Sequence, residues 1–459
     1  MAVGRDREAH RRLMLETPMR KLIPSMAAPT VIAMFISSVY SLTDVWFVSS
    51  LGIEAMGAIG INVTIDNIIM MAGSFLALGA NSYIARLLGA DNNKKAANVL
   101  STAFFTAIMM GGLVLILGFS FMDSMVRLFG ATETIAPYAI DYAGFVLLSA
   151  PFMAANFVLN QCLRSEGSPV LSMTGMVSGA LVNIILDYVF IMIFGWGIKG
   201  ASAATAISKL VSFSILVSPY LRGRSILNLS IRNIRYSRDI VSEVCKMGCP
   251  SLFRLAASTF AAIITNRIAG SFSDAALAAI SLTNRIMMFM MSLALGFGQG
   301  FQPVAGFNWG AKRYDRVLKG FWFSAKSSIL VMLVLSSVMF AFAPQVITLF
   351  DQNGSADMVR IASLALRLQS ATLPIVAWAI IVNMCFAGIG RALSSSILSL
   401  SRQFICLMPV LFILPPLFGD TGLAASQATA DILTFAISTP LMIGTLRVLR
   451  RNMAEQENQ

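Results

Sequence analysis

Histidine is nearly absent from this chain: a single one, His10, stands near the start of 459 residues. Histidine-based catalysis and histidine metal centres are thereby excluded from the body of the protein. Charge is scarce too, at 12% of residues, against about a quarter in soluble domains. The five cysteines, Cys162, Cys245, Cys249, Cys385 and Cys406, fall in or at the ends of apolar segments, which argues against a disulfide framework. No short apolar core with a small-residue cleavage site precedes the first long apolar stretch, so the charged stretch Met1–Lys21 is read as a tail and not as a removable signal.

What the chain has in abundance is apolar length. Hydrophobic residues make up 57% of it, and the mean hydropathy is +0.76. Runs such as Ile23–Val48, Ile135–Leu159 and Val170–Phe194 are long enough to cross about 30 Å of hydrocarbon. The pattern predicts helices over 22–50, 55–87, 97–119, 136–161, 169–195, 200–222, 244–271, 277–308, 318–344, 358–388, 392–416 and 422–446. The net charge of +12 is gathered in short loops between these spans, which is a topology signal and not a nucleic-acid surface. Arg5, Arg7, Arg11, Arg12, Arg20 and Lys21 precede the first span, whereas the next loop holds only Glu54. Arg222, Arg224, Arg232, Arg235 and Arg238 follow the sixth span, and Lys312, Arg313, Arg316 and Lys319 the eighth. Loops of the other set carry Asp274, and Asp351 with Asp357. By the positive-inside rule both termini and the linker 223–243 are expected in the cytoplasm of a cell, or inner, membrane protein, which requires an even number of spans.

The chain also repeats itself. A shift of 221 residues superposes Met26 on Met247, Pro29 on Pro250, Gly79 on Gly300 and Gly89-Ala90 on Gly310-Ala311. A shift of 223 brings Asn160, Cys162 and Gly167 onto Asn383, Cys385 and Gly390, and one of 224 brings Ala204-Thr205-Ala206 onto Ala428-Thr429-Ala430. The expected fold is therefore an all-α membrane protein of twelve transmembrane helices in two pseudo-symmetric six-helix lobes around a central cleft. Its expected parts are an N-terminal tail 1–21, an N-lobe 22–222, the linker 223–243, a C-lobe 244–446 and a C-terminal tail 447–459. Parallel repeats of this kind commonly alternate access to a cleft between their halves, which favours transport over enzymatic catalysis.

Ionisable groups inside a membrane are costly and are functional candidates by default. In the first repeat these are Asp44, Asp66, Asp141 and Asp187, with Lys209 as the one base. Asp44, Asp187, Thr205 and Tyr142 all stand a few residues from the outer ends of their helices. At about 1.5 Å per residue they can share one layer roughly 10 Å below the surface. Asn183 precedes Asp187 by four residues and shares its helix face. Two carboxylates with amide and hydroxyl oxygens suit a proton or a sodium ion. Bonding between helices is the expected role of Asp66, Asp141 and Asn160. Lys209 shares a face with Thr205 and can pair with Asp187 or Asp66, which would work against proton carriage. In the second repeat, Arg254, Arg285, Arg367 and Arg402 lie deep enough to meet an anionic group of a substrate or lipid. Arg267 and Lys326 are expected to snorkel. Arg285, Met287, Met291 and Asp66 are the candidates for a substrate cleft, although methionines at such spacing commonly just pack.

Several motifs coincide with these positions. They are Pro29 followed by Ser41-Leu-Thr-Asp44-Val-Trp-Phe-Val-Ser-Ser-Leu-Gly52, Gly89-Ala90, Leu163-Arg164-Ser-Glu166-Gly167, Asn183-Ile-Ile-Leu-Asp187 and Gly200-Ala-Ser-Ala-Ala-Thr205. Together they span the chain, which resembles the multidrug and toxic compound extrusion family, and within it the DinF-like branch. The resemblance implies a two-lobed antiporter driven by sodium or protons. It implies a cation site in the N-lobe made by Asp44, Asn183, Asp187 and Thr205, with Tyr142 in the same network. The same four side chains would ligate Na+ if sodium is the coupling ion. A C-lobe cation site, which another branch builds from acids on helices 7 and 10, is not expected: Thr265 stands at the repeat equivalent of Asp44, and helix 10 has no acid. The function expected is export of small amphiphilic organic compounds by a monomer that needs the bilayer and no cofactor beyond the coupling ion. The alternative is a flippase or exporter of an anionic lipid-linked or amphiphilic metabolite.

Overall fold

The computed structural model describes residues 2–49, 51–350 and 355–457, the side chains of 2–7, 42, 45, 46, 49, 53 and 350 excepted. Asp351, expected in a loop, lies outside the described residues. Among the described residues every regular element is helical: α1 Ala2–Glu16, α2 Met19–Ser49, α3 Ile53–Gly89, α4 Asn93–Ser120, α5 Met122–Leu128, α6 Ala136–Ser165, α7 Pro169–Asp187, α8 Gly197–Leu221, α9 Arg238–Phe272, α10 Asp274–Gly310, α11 Tyr314–Ala341, α12 Ala343–Phe350, α13 Ala356–Ile389, α14 Ala392–Leu400 and α15 Leu407–Glu457. Eleven helical stretches among the described residues are long and apolar enough to span a membrane. The last of them, Ala392–Glu457, is two spans joined at Gly419, whose φ of 58° and ψ of −137° break the helix just after Pro415 and Pro416. Twelve spans result.

Boundaries follow local chemistry. Asn92, Ser273 and Ser355 accept hydrogen bonds from the backbone N–H groups of Lys95, Ala276 and Met358, which caps α4, α10 and α13. Two π-helical segments interrupt the expected runs, Tyr188–Ile193 directly after α7 and Ser401–Cys406 directly after α14. The charged N-terminal tail forms α1, with Met14 and His10 buried. The His10 ring lies where a Cβ on Gly167 would stand, 2.4 Å away. Burial lowers the His10 pKa to about 4, so the ring is neutral.

The helices form two compact units: Met1–Glu16 with Ile32–Gly248, and Thr17–Val31 with Cys249–Gln459. In the first, α6 is central and packs against α3, α4 and α8; in the second, α13 packs in the same way against α10, α11 and α15. The repeat extends to single contacts. Asn62 donates to the carbonyls of Ala58 (2.9 Å) and Ala139 (3.2 Å), and at the equivalent place Thr283 donates to Ala279 (2.8 Å) and Ala362 (3.4 Å). Asn160 donates to the Ser172 carbonyl, and its counterpart Asn383 accepts from Ser395. The short helices α5 and α12 are repeat partners as well, a feature too brief to read from hydropathy. Each unit also has very close helix approaches: a Cβ on Gly79 would lie 2.2 Å from the Val244 carbonyl oxygen, and one on Gly300 2.4 Å from Ala27 Cα.

At the end of α6 the chain turns at Gly167, and the Glu166 carboxylate turns inward. It accepts from Tyr220 Oη at 2.7 Å, from Ser225 Oγ, and from the Leu227 N–H at 3.4 Å. The linker after α8 is held further along by Ser230 N–H to Ser101 Oγ (3.3 Å), Arg235 N–H to Thr102 Oγ1 (3.0 Å) and the hydroxyl pair Thr106 and Tyr236 (3.1 Å).

Candidate cation site

The acid of α2 and the acid of α7 meet inside the first unit, with the carboxyls of Asp44 and Asp187 at hydrogen-bond range of each other. Asp187 is fully buried, and Asn183, Tyr142 and Thr205 are nearly so. With its carboxamide oriented to satisfy both neighbours, Asn183 donates to Asp187 Oδ2 at 2.8 Å and accepts from the Thr205 hydroxyl and N–H, each at 3.3 Å. The spacing of four residues between Asn183 and Asp187 places them on one face of α7 for this contact. The π-helical segment begins at the residue after Asp187, the kind of irregularity that recurs at functional sites.

Around this pair stand Tyr142 from α6 and Tyr40 from α2, both interacting with the Thr205 hydroxyl on α8. Tyr40 lies one turn before Asp44 on the same helix face. Lys209 and Asp66 complete the group, with the ammonium in electrostatic range of Asp66 and Asp44 and 5.7 Å from the centre of the Tyr40 ring. The cluster therefore sets three carboxyls against one ammonium. One oxygen each of Asp44 and Asp187 is buried with no hydrogen-bond partner among the described residues. Two carboxylates this close repel, and a proton or a small monovalent cation between them relieves the repulsion while satisfying both bare oxygens. The donor set, carboxylate, amide and hydroxyl oxygen, fits either ion.

Of the residues singled out in the sequence, Asp44, Asn183, Asp187, Thr205 and Tyr142 converge. Asp66, read as a helix bond or a cleft residue, faces Lys209 and Asp44. Tyr40 was not singled out, although its position four residues before an intramembrane acid was a usable signal. Asp141 lies apart and pairs with Lys199 at 3.2 Å on a solvent-accessible edge. Asn160 serves Arg164 and Ser172. In the second unit Arg285 is exposed, and Arg367 lies over the Phe340 ring at 6.0 Å. Met287 belongs to the apolar core of that unit, while Met291 meets Arg402 through its sulfur.

The MatE family model matches residues 29–189 and 250–413, one match in each repeat. The multidrug export protein MepA of Staphylococcus saprophyticus is 26% identical over 92% of this chain and 92% of its own length. That of Staphylococcus aureus is 26% identical over 94% and 95%. A solved multidrug resistance MATE family transporter of the MOP superfamily, in an outward-facing conformation, is 26% identical, with a TM-score of 0.90 over 95% of this chain and 98% of that one. A MOP superfamily transporter from Pyrococcus furiosus gives 25% and 0.89 over 96% and 98%. With twelve apolar spans, an internal repeat and these likenesses along nearly its whole length, the chain belongs to the MatE family and is a membrane transporter.

Proposed function

We propose that the protein is a cation-coupled antiporter that exports small organic compounds across the cell membrane, driven by inward movement of H+ or Na+. The observation that carries this is the buried contact between Asp44 and Asp187, each with an oxygen that no group among the described residues satisfies. In this reading the cation enters between the two carboxyls. Asn183 holds Asp187 in place, and the Thr205 hydroxyl, backed by Tyr40 and Tyr142, lends a neutral oxygen. Binding removes the repulsion between α2 and α7 and release restores it, so occupancy sets how closely the two helices approach. Lys209 balances part of the remaining negative charge through Asp66. Coupling to export follows if the lobes rock between inward and outward access as the site fills and empties. The likeness to multidrug export proteins supports organic compounds as the cargo. The protein acts as a monomer in the bilayer, with both termini in the cytoplasm and without a further cofactor.

The test is counter-transport in proteoliposomes, with a cationic dye as cargo and sodium and proton gradients imposed separately. Asp44→Asn and Asp187→Asn are each expected to abolish gradient-driven export while the protein still inserts and remains monodisperse. Export close to wild type in both variants would remove the coupling role of the pair.

A further inference from the structure

The second unit contains a buried ion pair outside the cation site. Asp431 on α15 is fully buried and accepts from Arg402 Nε (2.7 Å) and Nη2 (3.5 Å), Gln427 Nε2 (3.1 Å) and Thr372 Oγ1 of α13 (3.2 Å). Four donors saturate a carboxylate, so Asp431 has no capacity left for another ligand. Arg402 is different. Its side chain is 19% exposed, and among the described residues its Nη1 meets only the sulfur of Met291 at 2.9 Å, a weak acceptor beside a guanidinium that carries five N–H donors. Asp431 grips the Nε side and so fixes the plane of the guanidinium. The Nη1 edge is presented in a fixed direction, beside a flexible apolar side chain.

Two further observations separate this arrangement from a simple helix clamp. Arg402 sits in the π-helical segment Ser401–Cys406, the kind of irregularity that recurs at functional sites. The repeat-equivalent positions in the first unit, Gly179 by the shift of 223 and Ile207 by that of 224, hold no such pair, so the ion pair does not belong to the packing scheme that both halves share.

We infer that Arg402, oriented by Asp431, is an anion-binding subsite that takes the carboxylate, sulfonate or phosphate of an amphiphilic organic anion, whose apolar part lies against Met291. A planar guanidinium fork matches two oxygens of such a group, and the saturated aspartate behind it acts as a positioning residue. This assigns a substrate class to the transporter and rests on the transport reading only for its purpose, not for the binding itself.

The experiment is equilibrium binding in nanodiscs of neutral lipid, with protein-free discs subtracted and no ion gradient. Two probes share one fluorophore: dansylglycine carries a carboxylate and dansylcadaverine an ammonium. Arg402→Gln is expected to weaken dansylglycine roughly tenfold or more, and Arg402→Lys by less, because charge survives without the fork. Asp431→Asn is expected to tighten it, because the competing negative charge is gone. Dansylcadaverine should stay within about twofold throughout. Opposite signs for the two partners are the mark of a ligand site, since a purely structural pair would lose both probes alike from either side. If Arg402→Gln does not fold, the Lys and Asn variants carry the same contrast. Adding phosphatidylglycerol separates the sources: displacement of dansylglycine identifies a lipid headgroup, and undisturbed binding a soluble anion. Unchanged dansylglycine affinity in the Arg402 variants, or parallel loss of both probes, overturns the assignment. Gradient-driven export of dansylcadaverine by the wild type tests the transport reading independently.

Discussion

Glu166 makes the connection between α8 and α9 sensitive to pH. Burial pushes its carboxyl from the usual 4.5 up to about 7, outweighing Ser225, Tyr220 and the N–H groups of Leu227 and Ile226, which pull the other way. Cys162 and Tyr220 are the other titratable groups facing it. When the linker lifts off, the carboxyl returns to water and to its usual range. The closed form therefore holds a proton that the open form releases: the stabilisation is complete below about pH 4.5 and is lost as the pH rises through about 7. The difference amounts to about 3 kcal/mol at most, or roughly three-hundredfold in the open fraction. Arg222 and Arg224 lie just before Ser225 and are exposed, and a protease must draw several residues around the scissile bond into its cleft, so nicking by trypsin should follow the open fraction. Measured in detergent between pH 5.5 and 8, and divided by the rate on an unstructured peptide, wild-type nicking should climb steeply. Glu166→Gln should flatten the dependence. Glu166→Ala should raise nicking at every pH, because the Tyr220 and Ser225 hydroxyls and the Leu227 N–H lose their acceptor, at about 1–3 kcal/mol for each group left buried and unpaired. A pH profile that survives in the Gln variant would refute the assignment of the switch to Glu166.

Two more outcomes are expected. Gly79→Ala and Gly300→Ala place a methyl group against backbone at 2.2 and 2.4 Å, which no side-chain rotation relieves. Each should cost about 1–3 kcal/mol or more and lower the yield of monodisperse protein, while Gly144→Ala, with open space around it, should be neutral in the same chromatography. Asn183→Ala and Thr205→Ala should raise the half-saturating concentration of the driving cation more than they lower maximal transport, because their neutral oxygens tune a site charged by the aspartates; an unchanged half-saturation in both would count against them as ligands.

The spans were legible because hydrocarbon imposes length and apolarity on each one separately, and the repeat was legible because its spacing is nearly constant. Asp44, Asn183, Asp187 and Thr205 stood out for a related reason, since polar atoms in apolar spans have few purposes. Tyr40 did not, because an aromatic residue near the end of a span is ordinary, and only its contact with Thr205 marks it. The helical character of α1 escaped a hydropathy reading since it hangs on two buried side chains, Met14 and His10, and on a glycine more than 150 positions further along. The pairing of Arg402 with Asp431 depends on the break at Gly419, which folds the chain back between them. Neither span betrays it alone.

The contacts of Asn62 and Thr283 bear on how the two halves diverged. Each donates to two main-chain carbonyls, acceptors that every residue type provides, so the joint survives any drift in the partners and tolerates either an amide or a hydroxyl as donor. Two copies descended from one ancestral six-helix unit can thus lose nearly all identity while keeping their architecture. A repeat anchored in this way leaves its side chains free to differ, with acids within the spans of one copy and arginines within those of the other.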